Sequence, residues 1–146
     1  MKNEQCSNDI LTLSFIPFLI IGCYVIGIAG SDEKCQWLEN ELGFDAAINY
    51  KTKSIRTSLL RVLPKDKKGV DCYFDNVGGK ISHHVMTSMN MFGRVAICGA
   101  IASYNDTDES KTLAPAFQLP VIGSQLKLEG LHASRWMREG ESKFEL

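Results

Sequence analysis

The sequence lacks the residue clusters that bind metals or carry out nucleophilic catalysis. Its cysteines form no Cys-x-x-Cys pair and no Cys/His cluster at metal-ligand spacing. His83 and His84 have no acidic or cysteine partner at such spacing, so we interpret them as exposed helix residues and expect no zinc site. No Ser/His/Asp or Cys/His arrangement stands out. A dispersed, odd number of thiols in apolar surroundings predicts reduced cysteines in the core of an intracellular protein: Cys6, Cys23, Cys35, Cys72 and Cys98.

The chain also lacks an excess of charge of either sign. Its 16 lysines and arginines and its 17 aspartates and glutamates give a formal net charge of −1. Such a balance gives no argument for nucleic acid or an anionic membrane as a partner. The basic residues are scattered, with no interleaved aromatic platform. At 146 residues, the chain corresponds to one domain that is long enough to bury a core.

Charge is absent from the nineteen residues of Ile10–Ile28. By its length alone, this apolar run is a candidate membrane span or signal peptide. However, Pro17 and the β-branched residues disfavour a continuous helix, and the flanking residues show no strong basic bias. The second half of the run belongs to a predicted strand, Cys23–Ala29. We therefore expect that the run does not cross a membrane, and a membrane span is the alternative.

Short apolar runs alternate with helical patterns along the rest of the chain. The predicted strands are Cys23–Ala29, Ala46–Asn49, Val70–Phe74 and Arg94–Cys98, with a candidate fifth strand over Leu126–Leu131. The predicted helices run from Ser31 to Gly43, from Ser54 to Pro64 with Ile55, Leu59 and Leu60 facing inward, and over Lys80–Met89 with Ile81, Val85 and Met89 buried. Residues 102–118 are predicted to form a loop. This alternation favours an α/β fold with a parallel sheet.

Four segments in consistent order resemble a known family: Gly30–Lys34 (GSDEK), Leu42–Lys51 (LGFDAAINYK), Asp71–Gly79 (DCYFDNVGG) and Gly93–Asn105 (GRVAICGAIASYN). They resemble the prostaglandin reductases, which are zinc-independent, medium-chain, NADPH-dependent reductases. The resemblance implies a partial Rossmann-type domain, a doubly wound parallel sheet of four to five strands. It divides the chain into an unmatched apolar segment (1–21), a partial NADP-binding domain (22–136) and a short C-terminal tail (137–146).

The end of the first predicted strand favours NADPH over NADH. A site specific for NAD places a carboxylate there to bind the ribose 2′-hydroxyl, whereas this chain has Gly30 and Ser31, with Lys34 one helical turn later. A small polar residue and an ammonium group suit a 2′-phosphate. The resemblance implies that Lys34 and Tyr50 contact this phosphate. The alternative is a solvated helix N-terminus with an ordinary surface lysine.

A second group of residues is predicted to lie under the cofactor and beside its nicotinamide. Asn76 offers a donor and an acceptor, and Gly78 and Gly79 allow the backbone to approach a ligand closely, although a tight turn alone explains all three. By resemblance, the segment beside the nicotinamide is Cys98, Gly99, Ala100 and Ile101, and the backbone that holds its amide is Leu131, His132 and Ala133. His132 departs from the more apolar pattern of the family. Tyr104 is the candidate catalytic residue, a hydrogen-bond donor near the reacting carbonyl or the nicotinamide ribose, and an ordinary loop tyrosine is the alternative.

The resemblance implies reduction of the carbon–carbon double bond of enones and alkenals, including 15-oxoprostaglandins, by a cytoplasmic enzyme. It also implies a homodimer, or pairing with a full-length subunit, through Leu126–Leu131. The glycine-rich turn that binds pyrophosphate is missing, since Gly22 is the first glycine. We therefore interpret the chain as a truncated, alternatively spliced or mispredicted product that is inactive alone. The alternative function is a non-catalytic module for weak nucleotide binding or dimerisation.

Overall fold

The computed structural model describes residues 22–102 and 117–132. Within these ranges strands and helices alternate: β1 (Ile26–Ala29), α1 (Asp32–Asn40), β2 (Ala46–Asn49), α2 (Ile55–Val62), β3 (Val70–Asp75), α3 (Gly79–Met86), β4 (Met89–Ile97), α4 (Gln118–Ser124) and β5 (Lys127–Gly130). The chain divides into two compact units, Met1–Pro64 and Lys65–Leu146. No helix in the two described ranges has the length and apolar character needed to cross a bilayer.

The first unit contains a two-stranded parallel sheet. β1 pairs with β2 in the register Ile26 to Ala46 through Ala29 to Asn49. Gly27 lets β1 lie close to α1, because a Cβ at this position would come within 2.6 Å of Leu38 Cδ1. The buried apolar side chains of this unit come from β2, from α2 and from the segments before each strand: Val25, Phe44, Ala46, Ile48, Ile55 and Leu59.

The second unit contains a three-stranded parallel sheet in the order β3-β4-β5. Asp75 at the end of β3 lies opposite Ile97 of β4, which in turn lies opposite Gly130 of β5. The core of this unit combines α3, β4 and the segment before β5: Met86, Met89, Val95 and Leu126. Because all strands are parallel, their carboxyl ends meet at one edge of the sheet, where open α/β sheets bind ligands.

The parallel α/β prediction is confirmed, although the expected single sheet is described as sheets of two and three strands. Alternation along the sequence predicts strands and helices but does not show which strands pair, so the pattern alone suggested one sheet.

Several predicted boundaries and orientations were wrong. α3 ends at Met86, because the Thr87 and Ser88 hydroxyls both donate to His84 O and the chain then turns. Met89 is buried as predicted, but it is the first residue of β4. Leu60 is 64% exposed, since the inward stripe of α2 consists of Ile55 and Leu59, spaced four residues apart.

The predictions for the loop over residues 102–118 and for the cysteines also need correction. α4 (Gln118–Ser124) begins at the end of what was predicted as a loop. Cys23 and Cys72 are exposed and are not core thiols, whereas Cys35 and Cys98 are half-buried. On β3, Asp75 is buried, and Val70 and Tyr73 pack against the core cluster.

Candidate nucleotide-binding site

The carboxyl ends of β1 and β2 bring Gly30 and Tyr50 together. The Tyr50 amide donates to Ala29 O at 3.0 Å. A Cβ at Gly30 would lie 3.1 Å from the Tyr50 hydroxyl and 3.4 Å from Lys51 Cε. Glycine at this strand end therefore leaves room for the phenol and the lysine beside it. Lys34 lies on the first turn of α1 and is exposed, so its ammonium group is free to meet an anion.

Ser31 shapes the start of α1. Its backbone is extended, and its hydroxyl accepts a hydrogen bond from the Lys34 amide at 3.3 Å. This bond satisfies one of the amide donors that have no partner within the helix. A hydrogen bond from its own backbone amide and a second one from Ser31 lower the pKa of Glu33. The first turn therefore carries an ionised glutamate beside the lysine expected to bind phosphate.

Asn49 is a structural residue that the sequence did not reveal. Only 4% of it is exposed. Its Nδ2 donates to Asp32 Oδ1 at 2.7 Å, and its Oδ1 accepts from the Lys51 amide at 3.0 Å. This side chain joins the first turn of α1 to the Tyr50–Lys51 turn. The only signal in the sequence was a polar residue at the end of an apolar strand.

Replacing Ser31 with alanine is expected to lower the free energy of unfolding by about 1 kcal/mol, because the helix loses its N-cap hydrogen bond. Ser54→Ala is the matched control, since Ser54 precedes α2 but its side chain makes no cap hydrogen bond. Urea denaturation of both variants measures the difference. Equal losses of stability would show that the Ser31 hydroxyl does not act as a cap.

The segment after β4 is hydrogen-bonded to the end of β3 and to the turn that follows it. Four backbone hydrogen bonds make this connection: Cys98 N and Gly99 N donate to Asp75 O at 2.8 and 3.1 Å, Ile101 N donates to Asn76 O at 3.3 Å, and Ala102 N donates to Val77 O at 2.9 Å. The structure thus places the predicted Asn76 turn directly beside the predicted 98–101 segment. Leu131 joins them, because its amide donates to Ile97 O at 2.8 Å.

Two glycines form the tight part of this turn. Gly78 has φ 72° and ψ −166°, and Gly79 has φ 62°. A Cβ at Gly78 would lie 3.4 Å from Ala100 Cα, and one at Gly79 would lie 3.4 Å from Ala102 Cβ. Because both φ values disfavour side chains, the turn alone requires both glycines. Their role in binding a ligand is an additional hypothesis.

The side chain of Asp75 holds the turn through hydrogen bonds to its backbone. It is 3% exposed, and its Oδ1 accepts hydrogen bonds from the amides of Val77 and Gly78 at 3.0 and 2.9 Å. The Tyr73 hydroxyl donates to the same oxygen at 3.0 Å. Burial, with a smaller contribution from the charge of Asp75, raises the pKa of Tyr73, so the phenol keeps its proton. Nothing in the sequence pattern distinguished Asp75 as the residue that holds this turn.

The remaining predicted positions differ in what the structure describes. His132 is exposed, whereas Tyr104 and Ala133 lie outside the described residues. His84 is exposed as expected, but His83 is half-buried and its Nδ1 has no hydrogen-bond partner. Within residues 22–102 and 117–132, no three His, Cys, Asp or Glu side chains are grouped so as to hold a metal ion.

Comparison with known proteins identifies several relatives. Residues 19–139 match the family described as zinc-binding dehydrogenase. Prostaglandin reductase 1 of Mus musculus is 49% identical over 122 residues, which cover 84% of this chain and 36% of that protein. A putative NADP-dependent oxidoreductase of Bacillus subtilis, YfmJ, is 47% identical over 116 residues, covering 79% of this chain and 33% of that protein. The chain therefore spans about a third of the length of these relatives.

The solved structures include CurA of Vibrio vulnificus in complex with NADPH. CurA is 34% identical to this chain, with a TM-score of 0.70, and the match covers 82% of this chain and 35% of CurA. A second crystal structure of CurA gives a TM-score of 0.72, with 34% identity and a match that covers 83% of this chain and 35% of CurA. Both matches support the parallel α/β fold.

Proposed function

This chain belongs to the zinc-binding dehydrogenase family and is similar to its prostaglandin reductases, and we propose that it forms the NADPH-binding part of a reductase. The proposed substrates are enones and alkenals, including 15-oxoprostaglandins. The observation that carries the cofactor proposal is the end of β1. Gly30 lies beside the Tyr50 hydroxyl there, and no aspartate or glutamate ends the strand. The complex of CurA with NADPH supports the same cofactor.

The residues at the end of β1 suit the adenosine side of NADPH. The hydroxyl of Ser31 and the phenol of Tyr50 offer hydrogen bonds, and the exposed ammonium group of Lys34 offers charge to a 2′-phosphate. Hydrogen bonds to charged groups contribute more than neutral ones, about 1.5–3 kcal/mol each. We assign these three side chains to the 2′-phosphate, which makes this corner the source of the preference for NADPH.

The joined ends of β3 and β4 suit the nicotinamide side. We assign the following residues to it: Asn76, Gly78, Gly79, Cys98, Gly99, Ala100, Ile101, Leu131, His132 and Ala133. When bound, NADPH supplies the hydride for the reaction. In the proposed chemistry Tyr104 donates a hydrogen bond to the carbonyl oxygen of the substrate, where negative charge develops.

A cytoplasmic location and pairing with a second copy complete the proposal. Cys23, Cys35, Cys72 and Cys98 are all free thiols, which fits a reducing compartment. Among the described residues, β5 pairs with β4 only, so one of its edges is open. We propose that this edge pairs with a second copy of the chain or with a full-length subunit.

Saturating NADPH is expected to slow the alkylation of Cys98 several-fold, because the cofactor would cover this half-buried thiol. Burial, and then the charge of Asp75, raise the pKa of Cys98. Less thiolate is therefore present near neutral pH, and its labelling rate should rise as the pH increases. A pulse of iodoacetamide followed by peptide mass spectrometry measures the rate at each cysteine.

Cys72 is the internal control for this labelling. It is exposed on β3 and is not among the residues assigned to the cofactor, so NADPH should leave its rate unchanged. If NADPH does not change the rate at Cys98, the nicotinamide-side assignment is wrong.

A further inference from the structure

The carboxylate of Asp75 is buried, and only 3% of the residue is exposed. A buried charge is costly unless hydrogen bonds compensate for it. Here a single oxygen, Oδ1, receives the amides of Val77 and Gly78 and the hydroxyl of Tyr73, all at 2.9–3.0 Å. Two of these three hydrogen bonds connect the carboxylate to the turn that follows β3.

The backbone of the same residue holds the neighbouring segment. Asp75 O accepts hydrogen bonds from the amides of Cys98 and Gly99. Its side chain thus fixes the turn before α3, while its carbonyl fixes the segment after β4. Both segments carry residues that we assign to the nicotinamide side, so one buried residue sets the backbone of each.

Tyr73 and Ser82 fix the carboxylate in turn. The Tyr73 hydroxyl lies 3.2 Å from Ser82 Oγ, and Ser82 is a buried residue of α3. The Tyr73 ring packs against the core cluster of this unit. Contacts with α3 and with the core therefore fix the position of the Asp75 carboxylate. The carboxylate in turn fixes the position of the turn.

We propose that Asp75, held by Tyr73 and Ser82, is a positioning residue that sets the Asn76–Gly79 turn before the dinucleotide binds. This inference rests on the proposed function. A turn that already has its bound conformation loses less conformational entropy on binding than one that must be ordered. The network should therefore affect affinity for the nicotinamide half of NADPH and leave the adenosine side unaffected.

Tyr73→Phe tests the proposal, because it removes one hydroxyl and keeps the ring in the core. With one hydrogen bond contributing about 0.5–1.5 kcal/mol, the dissociation constant for NADPH should rise about threefold to tenfold. The dissociation constant for 2′,5′-ADP, which has the 2′-phosphate but no nicotinamide, should not change. Without ligand, the amides of Val77 and Gly78 should exchange hydrogen faster than in the unchanged chain.

Tyr24→Phe is the matched control. It removes a hydroxyl that donates to Val62 O at 2.9 Å in the first unit, so it should not change NADPH affinity or the exchange at Val77 and Gly78. If Tyr73→Phe weakens both ligands equally, its role is general stability and the proposal is overturned. Unchanged exchange and affinity in Tyr73→Phe would overturn it as well.

The amide exchange separates this inference from the proposed function. If the unchanged chain binds neither NADPH nor 2′,5′-ADP, the proposed function fails. Faster exchange at Val77 and Gly78 in Tyr73→Phe would still show that the network holds the turn. If both ligands bind and exchange does not respond, the proposed function stands and Asp75 is not the positioning residue.

Discussion

Replacing Gly78 with alanine is expected to weaken NADPH binding roughly tenfold or more, which corresponds to about 1.4 kcal/mol. Gly78 has φ 72° and ψ −166°, a region that is almost restricted to glycine. A residue with a Cβ held there carries strain of about 1–3 kcal/mol. The added Cβ itself would meet Ala100 Cα at an ordinary 3.4 Å, so the backbone conformation, and not lack of space, causes the effect.

The alanine variant can relieve this strain only by rotating the turn. Rotation would pull the Gly78 amide away from Asp75 and would shift the backbone that we assign to the nicotinamide. The free energy of unfolding should fall by about 1–3 kcal/mol, and affinity should fall in the same variant. Urea denaturation and a fluorescence titration with NADPH measure the two quantities.

Gly123→Ala provides the matched control for this substitution. Gly123 lies in α4 without a positive φ, and a Cβ there would have no heavy atom within 4 Å. Since alanine favours a helix over glycine by up to about 1 kcal/mol, this variant should be as stable as the unchanged chain or more so. Its NADPH affinity should be unchanged. If Gly78→Ala binds NADPH as tightly as Gly123→Ala does, the turn is not part of the site.

Replacing Lys34 with alanine is expected to remove the preference for NADPH over NADH. The two cofactors differ only in the 2′-phosphate, so a residue that binds this group affects one and not the other. A hydrogen bond to a charged group contributes about 1.5–3 kcal/mol, which predicts roughly a tenfold to hundredfold loss of NADPH affinity. The affinity for NADH should stay the same.

Because Lys34 is exposed, salt should screen its attraction to the phosphate. The NADPH preference of the unchanged chain should therefore decrease as the ionic strength rises. Lys67→Ala is the control, since Lys67 is an exposed lysine that lies 4.0 Å from Asp66 and outside the proposed site. A loss of NADPH affinity that is as large in Lys67→Ala would mean that net charge, and not the corner beside Gly30, determines binding.

Local signals in the sequence were sufficient for much of the fold. The short apolar run Ala46–Asn49 has the predicted bounds, and Ser31 caps α1 as its residue type indicates. The end of α3 was not predictable in the same way, because it depends on two hydroxyls that both donate to one carbonyl oxygen, His84 O. α4 begins inside a predicted loop and has Pro120 in its first turn, where proline is tolerated.

The same distinction separates the site residues that the sequence predicted from those that it missed. Glycines at strand ends marked Gly30, Gly78 and Gly79, since their residue type alone indicates close approach or a positive φ. Asn49 and Asp75 were missed as organising residues, because a polar residue at the end of a strand shows its function only through its partners. Those partners come from other segments of the chain: Asp32 and Lys51 for Asn49, and Tyr73 and the turn amides for Asp75.

Calorimetric titration of the purified 146-residue chain with NADPH and with NADH, at the same low ionic strength, tests the central claim most directly. The cofactor corner at Gly30, Ser31, Lys34 and Tyr50 predicts that NADPH binds roughly tenfold more tightly or better, from at least one charged hydrogen bond. Equal dissociation constants for the two cofactors, or binding of NADH alone, would contradict the assignment of this corner to a 2′-phosphate.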